Sequence, residues 1–575
     1  MNRLKRFSTE TQYDLAKDDF EYATVSWVED VDDVRYMTLR DKYTREYLTF
    51  EALEDGTFTL SIPASVDSTY MTSVSYSTDN GATWNTTTVD NTAQTITTPT
   101  INAGDKVLWK GVGKQMSKST SSNDFSYFSS TGNFNVSGNV MSLLYGDEFA
   151  NQVALPSGST LNFAELFLNA NKLISASNMV LPATTLASSC YRDIFSGCTA
   201  LTTAPSILPA TTLVGNCYRS MFSGCTSLTT APELPATTLA SGCYQYMFQG
   251  CTSLTTAPEL PATTLTTECY YQMFYGCTSL TTAPELPATT LATYCYQSMF
   301  SRCTSLTTAP ELPATTLAIY CYSEMFYGCT SLTTAPELPA TTLATQCYDS
   351  MFQGCTSLTT APATLPATTL ASKCYYGMFR NCTSLTTAPE LPATTLVIDC
   401  YYYMFDGCTA LTTAPELPAT KMTSGCYRSM FQNCTSLTTA PTLPATTLAS
   451  SCYANMFYGC TSLATAPELP ATTLTRFCYQ NMFYGCTSLT TAPELPATTL
   501  TSAGTKGCYE YMFYGCSRLN YIKAMFTTTP SATYTNNWVN GVASTGTFVK
   551  NSAATWNVSG TNGVPTGWTI ETASE

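Results

Sequence analysis

The residues with the most reactive chemistry are 26 cysteines, arranged as pairs of the form C-x7-C from Cys190 with Cys198 to Cys508 with Cys516. Thiols in that number could act as nucleophiles, metal ligands, disulfides or small apolar side chains. The chain contains no histidine. That removes Cys-His and Ser-His-Asp nucleophile pairs, His-containing metal sites and His general bases together. Zinc is disfavoured as well, because seven intervening residues lack the short chelate spacing of metal motifs. Two readings of the cysteines stay open: disulfides, or columns of buried thiols. If the residues between each pair are helical, they span about 12 Å, beyond the roughly 7 Å a disulfide tolerates. Pairing between neighbouring copies survives that objection, and the balance favours thiols.

The second titratable set is a row of carboxylates, Glu233, Glu259, Glu285, Glu311 and Glu337, continued by Glu390, Glu416, Glu468 and Glu494. An active site needs one distinctive cluster, whereas these are identical copies, so no enzyme is expected. Spaced roughly 5 Å apart on stacked strands they would repel one another. They must be solvated, the favoured reading, or neutralised by cations such as Ca²⁺. No other cofactor or metal is implied.

Both sets sit on an internal repeat. The first cysteines recur at a period of 26, with one residue added before Cys217 and Cys374 and four before Cys508. A period of this size means one supersecondary unit stacked on copies of itself, a solenoid. Counting from the first cysteine as offset zero, the constant positions are Cys at zero, Tyr at one, Met at four, Phe at five and Cys at eight; Ile194 is the sole exception to Met. Those offsets fall on one side of a helix. Offset seven is Gly in ten copies, Asn in two and Arg in one (Arg302), residues apt for the left-handed end of a helix in all but that last case. Ser or Thr stands two before the first cysteine in eight of thirteen copies, as an N-cap would. The sequence therefore predicts a two-turn helix, then a short strand around LTTA with Leu at eleven and Ala at fourteen inward, ended by proline. Strands stack about 4.8 Å apart and helices about 8–10 Å. The mismatch predicts a curved α/β solenoid, strands concave over about 65 Å and helices convex.

Four segments follow. Residues 1–45, the most charged, read as an attachment or assembly segment, with Val25, Trp27 and Val28 in a short strand. Residues 46–138 hold six or seven short strands and a Thr78-Asp79-Asn80-Gly81 hairpin, and read as an all-β immunoglobulin-like sandwich with Trp84 and Trp109 in its core. Residues 139–526 form the solenoid, opened by a cap repeat in which Asn162 and Ala170 replace both cysteines while Phe163, Leu166, Phe167 and Leu173 keep the apolar positions. Residues 527–575, with Trp538, Trp556 and Trp568, read as a C-terminal cap.

The arrangement F-x-x-C-x-x-L followed by a proline step, as in MFQGCTSLTTAPELP from Met247, resembles the BspA-like leucine-rich repeat family. The copies are longer than that family's usual unit and place a cysteine where Ile is common. The flanks YLTFEALEDGTFTLSI, YSTDNGATW, GDKVLWKG, GNVMSLLYGDEF and NGVPTGW resemble proteins of gut Bacteroidales and of their tailed phages. The resemblance implies an adhesin: a virion-associated receptor-binding protein of a tailed phage, or a secreted or surface adhesin of a gut bacterium. A third alternative is a non-binding structural or decoration protein of the virion. The N-terminus shows no apolar stretch of a signal peptide, which favours the virion, with synthesis in the host cytoplasm. The implied partners are a bacterial cell-surface glycan or protein and, through the N-terminus, other tail proteins; a homo-oligomer is compatible. With charged residues at 11%, a net charge of −15 and no basic stripe, nucleic acid is not expected as a partner. No apolar run reaches membrane-spanning length.

The variable outward positions are rich in tyrosine: Tyr246, Tyr271, Tyr275, Tyr294, Tyr320, Tyr327, Tyr376, Tyr402, Tyr403, Tyr458, Tyr484, Tyr511 and Tyr514, with Gln272 among them. Interleaved are Arg192, Arg219, Gln245, Gln297, Arg380, Arg428, Asn455, Gln480 and Asn481. Tyrosine amid Gln, Asn, Ser and Gly is the make-up of recognition surfaces, where a rigid amphipathic ring offers contact at low entropy cost. Drift on a solvated face is the alternative, but such a face would favour Lys and Glu.

Overall fold

The computed structural model describes residues 2–6, 22–29, 35–40, 45–118, 124–500 and 504–573. They fall into two compact units, Met1–Ala262 and Thr263–Glu575.

At the start of the first unit, β1 (Asn2–Arg6), β2 (Tyr22–Glu29) and β3 (Arg35–Arg40) form an antiparallel sheet of order β1-β3-β2. Strand β2 covers the short strand expected at Val25–Val28, and most of the remaining attachment segment lies outside the described residues. Two facing sheets follow. Strands β5 (Phe58–Ile62), β8 (Gln94–Thr97) and β10 (Tyr127–Ser130) form the smaller one, in the order β10-β5-β8. The larger sheet contains β4 (Leu48–Ala52), β6 (Met71–Ser77), β7 (Asn85–Thr88), β9 (Lys106–Gly113), β11 (Phe134–Asn139) and β12 (Leu173–Val180), in the order β12-β11-β4-β9-β6-β7. Phe50, Phe134 and Trp109 of the larger sheet meet Phe58 and Phe128 of the smaller at ring distances of 4.8–5.3 Å. That is a β-sandwich, but β4 lies between β9 and β11, and the strand order carries no immunoglobulin assignment. The longer loop between β6 and β7 contains a β-turn centred on Asn80 and Gly81, both at positive φ (57° and 86°), with Ala82 N donating to Asp79 O. Trp109 is fully buried. Trp84, expected in the core, is only half-buried, its ring against Tyr47 and under the Lys110 ammonium at 4.1 Å.

The described residues of the repeats contain no helix. Among the described residues helix is confined to α1 (Ser142–Tyr145) and the 3₁₀ turn Gly146–Asn151. The expected helix fails for a reason repeated in every copy: offsets −1, 3 and 7 are left-handed. In one copy these are Gln346 (φ 53°), Ser350 (53°) and Gly354 (77°). A left-handed residue every fourth position interrupts any α-helix. The outcome is a ribbon of consecutive turns. Even offsets donate three residues back within the coil, as Asp349 N to Gln346 O and Met351 N to Tyr348 O. Odd offsets donate to the next coil: Tyr348 N to Cys374 O, Ser350 N to Tyr376 O, Phe352 N to Met378 O and Gly354 N to Arg380 O, at 2.7–3.1 Å. Ser at −2 is no N-cap either, since Ser424 and Ser450 donate to the carbonyl of the same offset one coil on.

The opposite edge is similarly reduced. Around LTTA only single-residue parallel bridges form, as Thr308↔Thr334↔Thr360. Threonine hydroxyls tie the coils together, Thr359 and Thr438 each donating to the preceding coil's threonine carbonyl at 3.2 Å. Because both edges are directly hydrogen-bonded between coils, the 8–10 Å helix spacing that underlay the expected curvature is absent.

Within each unit every coil superposes the same side chains on its neighbour. Offset-five phenylalanines stack within 12° of parallel at 5.4–5.9 Å, as do the offset-one tyrosines at 5.6–6.1 Å. Leucines at eleven, seventeen and twenty-two and alanine at nineteen close the core, as Leu332, Leu338, Leu343 and Ala340 show; Ala at fourteen, expected inward, is half-buried in most copies. The cysteines are free thiols and all are buried. Within each unit the second of a pair donates to the phenylalanine carbonyl one coil before, for example Cys225 to Phe195, Cys355 to Phe326 and Cys460 to Phe431, at 3.0–3.1 Å. A thiol spent on that bond is not in a disulfide. Burial pushes thiols such as Cys198 and Cys329 up to about 12, so they are inert as nucleophiles.

Side chains at both ends of the stack are covered. Phe163, Leu166, Phe167 and Leu173 are fully buried, and Phe163 and Phe167 stack on Tyr191 and Phe195. Asn162, fully buried in place of the first cysteine, donates to Lys114 O and Ser159 Oγ, both at 2.7 Å. At the other end residues 534–541 form one more, cysteine-free coil: Tyr509, Phe513 and Gly515 donate to Tyr534, Trp538 and Asn540. Strands β13 (Tyr521–Ala524), β14 (Thr547–Lys550) and β15 (Thr569–Thr572) pair in parallel beside it. Trp538, Trp556 and Trp568 each donate the indole N–H to a backbone carbonyl.

Candidate recognition surface

With offsets 0, 1, 4, 5 and 8 turned inward, offsets −1, 2, 3 and 6 are left on the outside, and the tyrosines found there are half-exposed. Gln245, expected outward, is buried instead. Of the expected surface tyrosines all but Tyr246 belong to the second unit.

Three groupings emerge in that unit. Tyr294 and Tyr320, both left-handed at offset −1, stack at 5.1 Å, and the Tyr320 hydroxyl is hydrogen-bonded to Gln346. Tyr458, Tyr484 and Tyr514 occupy offset six of three successive coils and form a ladder at 4.5 and 4.7 Å, with Tyr511 edge-on to Tyr514. Between these lies a denser cluster. Tyr402 and Tyr403 stack at 4.1 Å, and Tyr376 meets both edge-on at 5.2 and 5.9 Å. Burial raises the Tyr376 and Tyr402 phenols above their ordinary range, so both remain hydroxyl donors.

The other expected residues are not gathered. Tyr246 pairs with Arg219, and Tyr275 with Arg302, each at 5.6 Å. Gln272 donates to the Tyr271 hydroxyl, and Tyr327 joins no ring stack among the described residues. Cations therefore belong to this surface more than the tyrosine pattern revealed. Arg302, Lys373 and Arg476 stand beside rings without having been singled out, and Asp406 anchors Arg380 at 2.9 Å. Arg380 and Asp406 share offset six in successive copies, a signal that column-wise reading of charges would have found.

The carboxylate row is exposed throughout: Glu233, Glu259, Glu285, Glu311 and Glu337 all face solvent. Glu311 and Glu337 border a shallow hollow lined by Pro310, Pro313, Pro336 and Pro339. Among the described residues no three acidic or cysteine side chains gather where they could hold a metal, so the row assembles no Ca²⁺ site. Among the described residues no helix is long and apolar enough to cross a membrane.

Stacked turn-and-bridge coils with a nearly constant interior and a varied rim define a repeat protein. The family model described as BspA type leucine rich repeat region (6 copies) matches residues 169–306, 218–359, 346–490 and 428–538, well over half of the chain. The chain belongs to the BspA-type leucine-rich repeat family. A leucine-rich repeat protein from Bacteroides ovatus is similar in structure, with 20% identity and a TM-score of 0.44, over 72% of this chain and 94% of that one. No curated protein matches.

Proposed function

We propose that this chain is an adhesin that recognises a bacterial surface glycan or protein through the outward tyrosines of its repeats, binding without catalysis. The observation that carries this reading is the position of those rings. They are half-exposed, stacked in pairs and ladders, and mounted on a backbone hydrogen-bonded on both sides. Such a surface is preorganised, so little side-chain freedom is lost when it binds. A face whose only task was solubility would not hold its tyrosines in register. The flanks resemble proteins of gut Bacteroidales and of their tailed phages alike; our reading is a tailed-phage particle with attachment through residues 1–45, and a bacterial surface is the alternative.

The test is saturable binding of the labelled full chain to a panel of gut Bacteroidales cells. Periodate treatment of the cells abolishes binding to a glycan, and protease treatment abolishes binding to a protein. No saturable binding to any member would leave the non-binding virion protein as the better account. Antibody labelling of phage particles and of cell surfaces then decides the carrier.

A further inference from the structure

The cluster around Tyr402 differs from the other tyrosine groupings in holding a cation without a counter-ion. Arg380 lies 4.7 Å from the Tyr403 ring and is neutralised by Asp406 at 2.9 Å. Arg428 lies 5.0 Å over the Tyr402 ring, and its guanidinium has no ion pair and no hydrogen bond among the described residues; its Nε is buried and unpartnered. The column shows why. Offset two runs Tyr376, Tyr402, Arg428 and then Ala454, which offers no acceptor side chain. A half-buried guanidinium left with ring contacts alone forgoes the charge-assisted bonds it is best suited to make.

We propose that Tyr376, Tyr402, Tyr403 and Arg428 form a subsite for a sugar residue bearing an anionic group, carboxylate or phosphate. The sugar ring lies against the tyrosine platform, and the anion takes the free N–H groups of Arg428. Arg380, held by Asp406, keeps the platform in place. The chain's net charge of −15 does not forbid this. At physiological ionic strength charges beyond about 8 Å are largely screened, so the local guanidinium decides. The inference rests on the adhesin reading and names the chemistry of its ligand.

The experiment measures binding of the full chain to three immobilised polymers: polygalacturonate, a glycerol-phosphate polymer and neutral dextran. One acidic polymer is expected to bind and dextran not; which acid binds identifies carboxylate or phosphate as the source. Arg428→Gln should weaken that binding at least about tenfold with an unchanged unfolding midpoint. Arg428→Lys, which keeps the charge but loses the fork, should fall between. Equal binding of dextran, no binding of either acid, or an Arg428→Gln protein as good as wild type would each overturn the subsite. Cell binding separates the two levels. If cells bind wild type and Arg428→Gln alike, the subsite fails and the adhesin reading stands. If cells bind neither, the adhesin reading fails.

Discussion

Offsets 0, 1, 4, 5 and 8 of each coil and offsets −1, 2, 3 and 6 share one short stretch of backbone, yet they obey different rules. The inner set is nearly constant and fully buried, and repeats its stacking at 5.4–6.1 Å. The outer set changes from coil to coil and is mostly half-exposed. The comparison teaches that the ribbon separates two tasks by direction alone. An inward side chain is fixed because it must match the coil before and the coil after. An outward one needs only to accept the local φ.

The largest effect that would break this division is a core truncation. Phe352→Ala removes a ring stacked at 5.5 Å on both sides, and should cost about 3–5 kcal/mol in urea unfolding. Tyr484→Ala on the outer ladder should stay within about 1 kcal/mol. Equal costs would erase the distinction.

The thiol columns sharpen it next. Cys355→Val removes the thiol bond to the Phe326 carbonyl, which keeps the Cys329 N–H, and should cost about 0.5–1.5 kcal/mol, whereas Cys355→Ser restores a second donor. In the native protein an Ellman titration should find no reactive thiol, and all 26 should react after unfolding without reductant. A shortfall after unfolding would mean disulfides.

Glu165, at left-handed offset three of the cap coil, tests the rule where it is strained. Burial and the neighbouring Asp193 charge, against the pull of Arg192, raise its carboxyl to about 7 from 4.5. The native state thus keeps a proton that the unfolded chain releases. Its contribution is full below about pH 4.5 and is lost as pH rises through 7. Melting of the wild type should fall across that window, and Glu165→Gln should flatten the slope.

The smallest effects concern the left-handed positions themselves. Arg302 holds φ at 62° where ten copies have glycine, so Arg302→Gly should stabilise by about 1 kcal/mol. Gly354→Ala should cost about as much, since an added Cβ would meet nothing closer than 3.7 Å and only the φ of 77° resists it.

The inward set was legible in the sequence because burial at 0, 1, 4, 5 and 8 suits a helix and a four-residue turn ribbon equally. Over nine residues a period of 3.6 and one of 4 cannot be told apart by apolar positions. The distinguishing signal lay in the variable positions. Offset seven reads as left-handed from its glycines; Asp193, Asn455, Asn481 and Gly377 at offset three carry the same preference, but the tyrosines and serines sharing that column hide it. Leu and Ala at seventeen and nineteen were overlooked because PELPAT has neither period. The tyrosines were legible as a surface, but not their grouping, because which rings meet depends on the residue at the same offset one coil away.

Central to this account is that the outer tyrosines bind while the inner columns hold the fold. The most direct measurement is cell binding by the full chain with Tyr402, Tyr458, Tyr484 and Tyr514 all changed to serine, alongside its urea midpoint. The account predicts binding reduced at least about tenfold with the midpoint unchanged. Undiminished binding by that variant would contradict it.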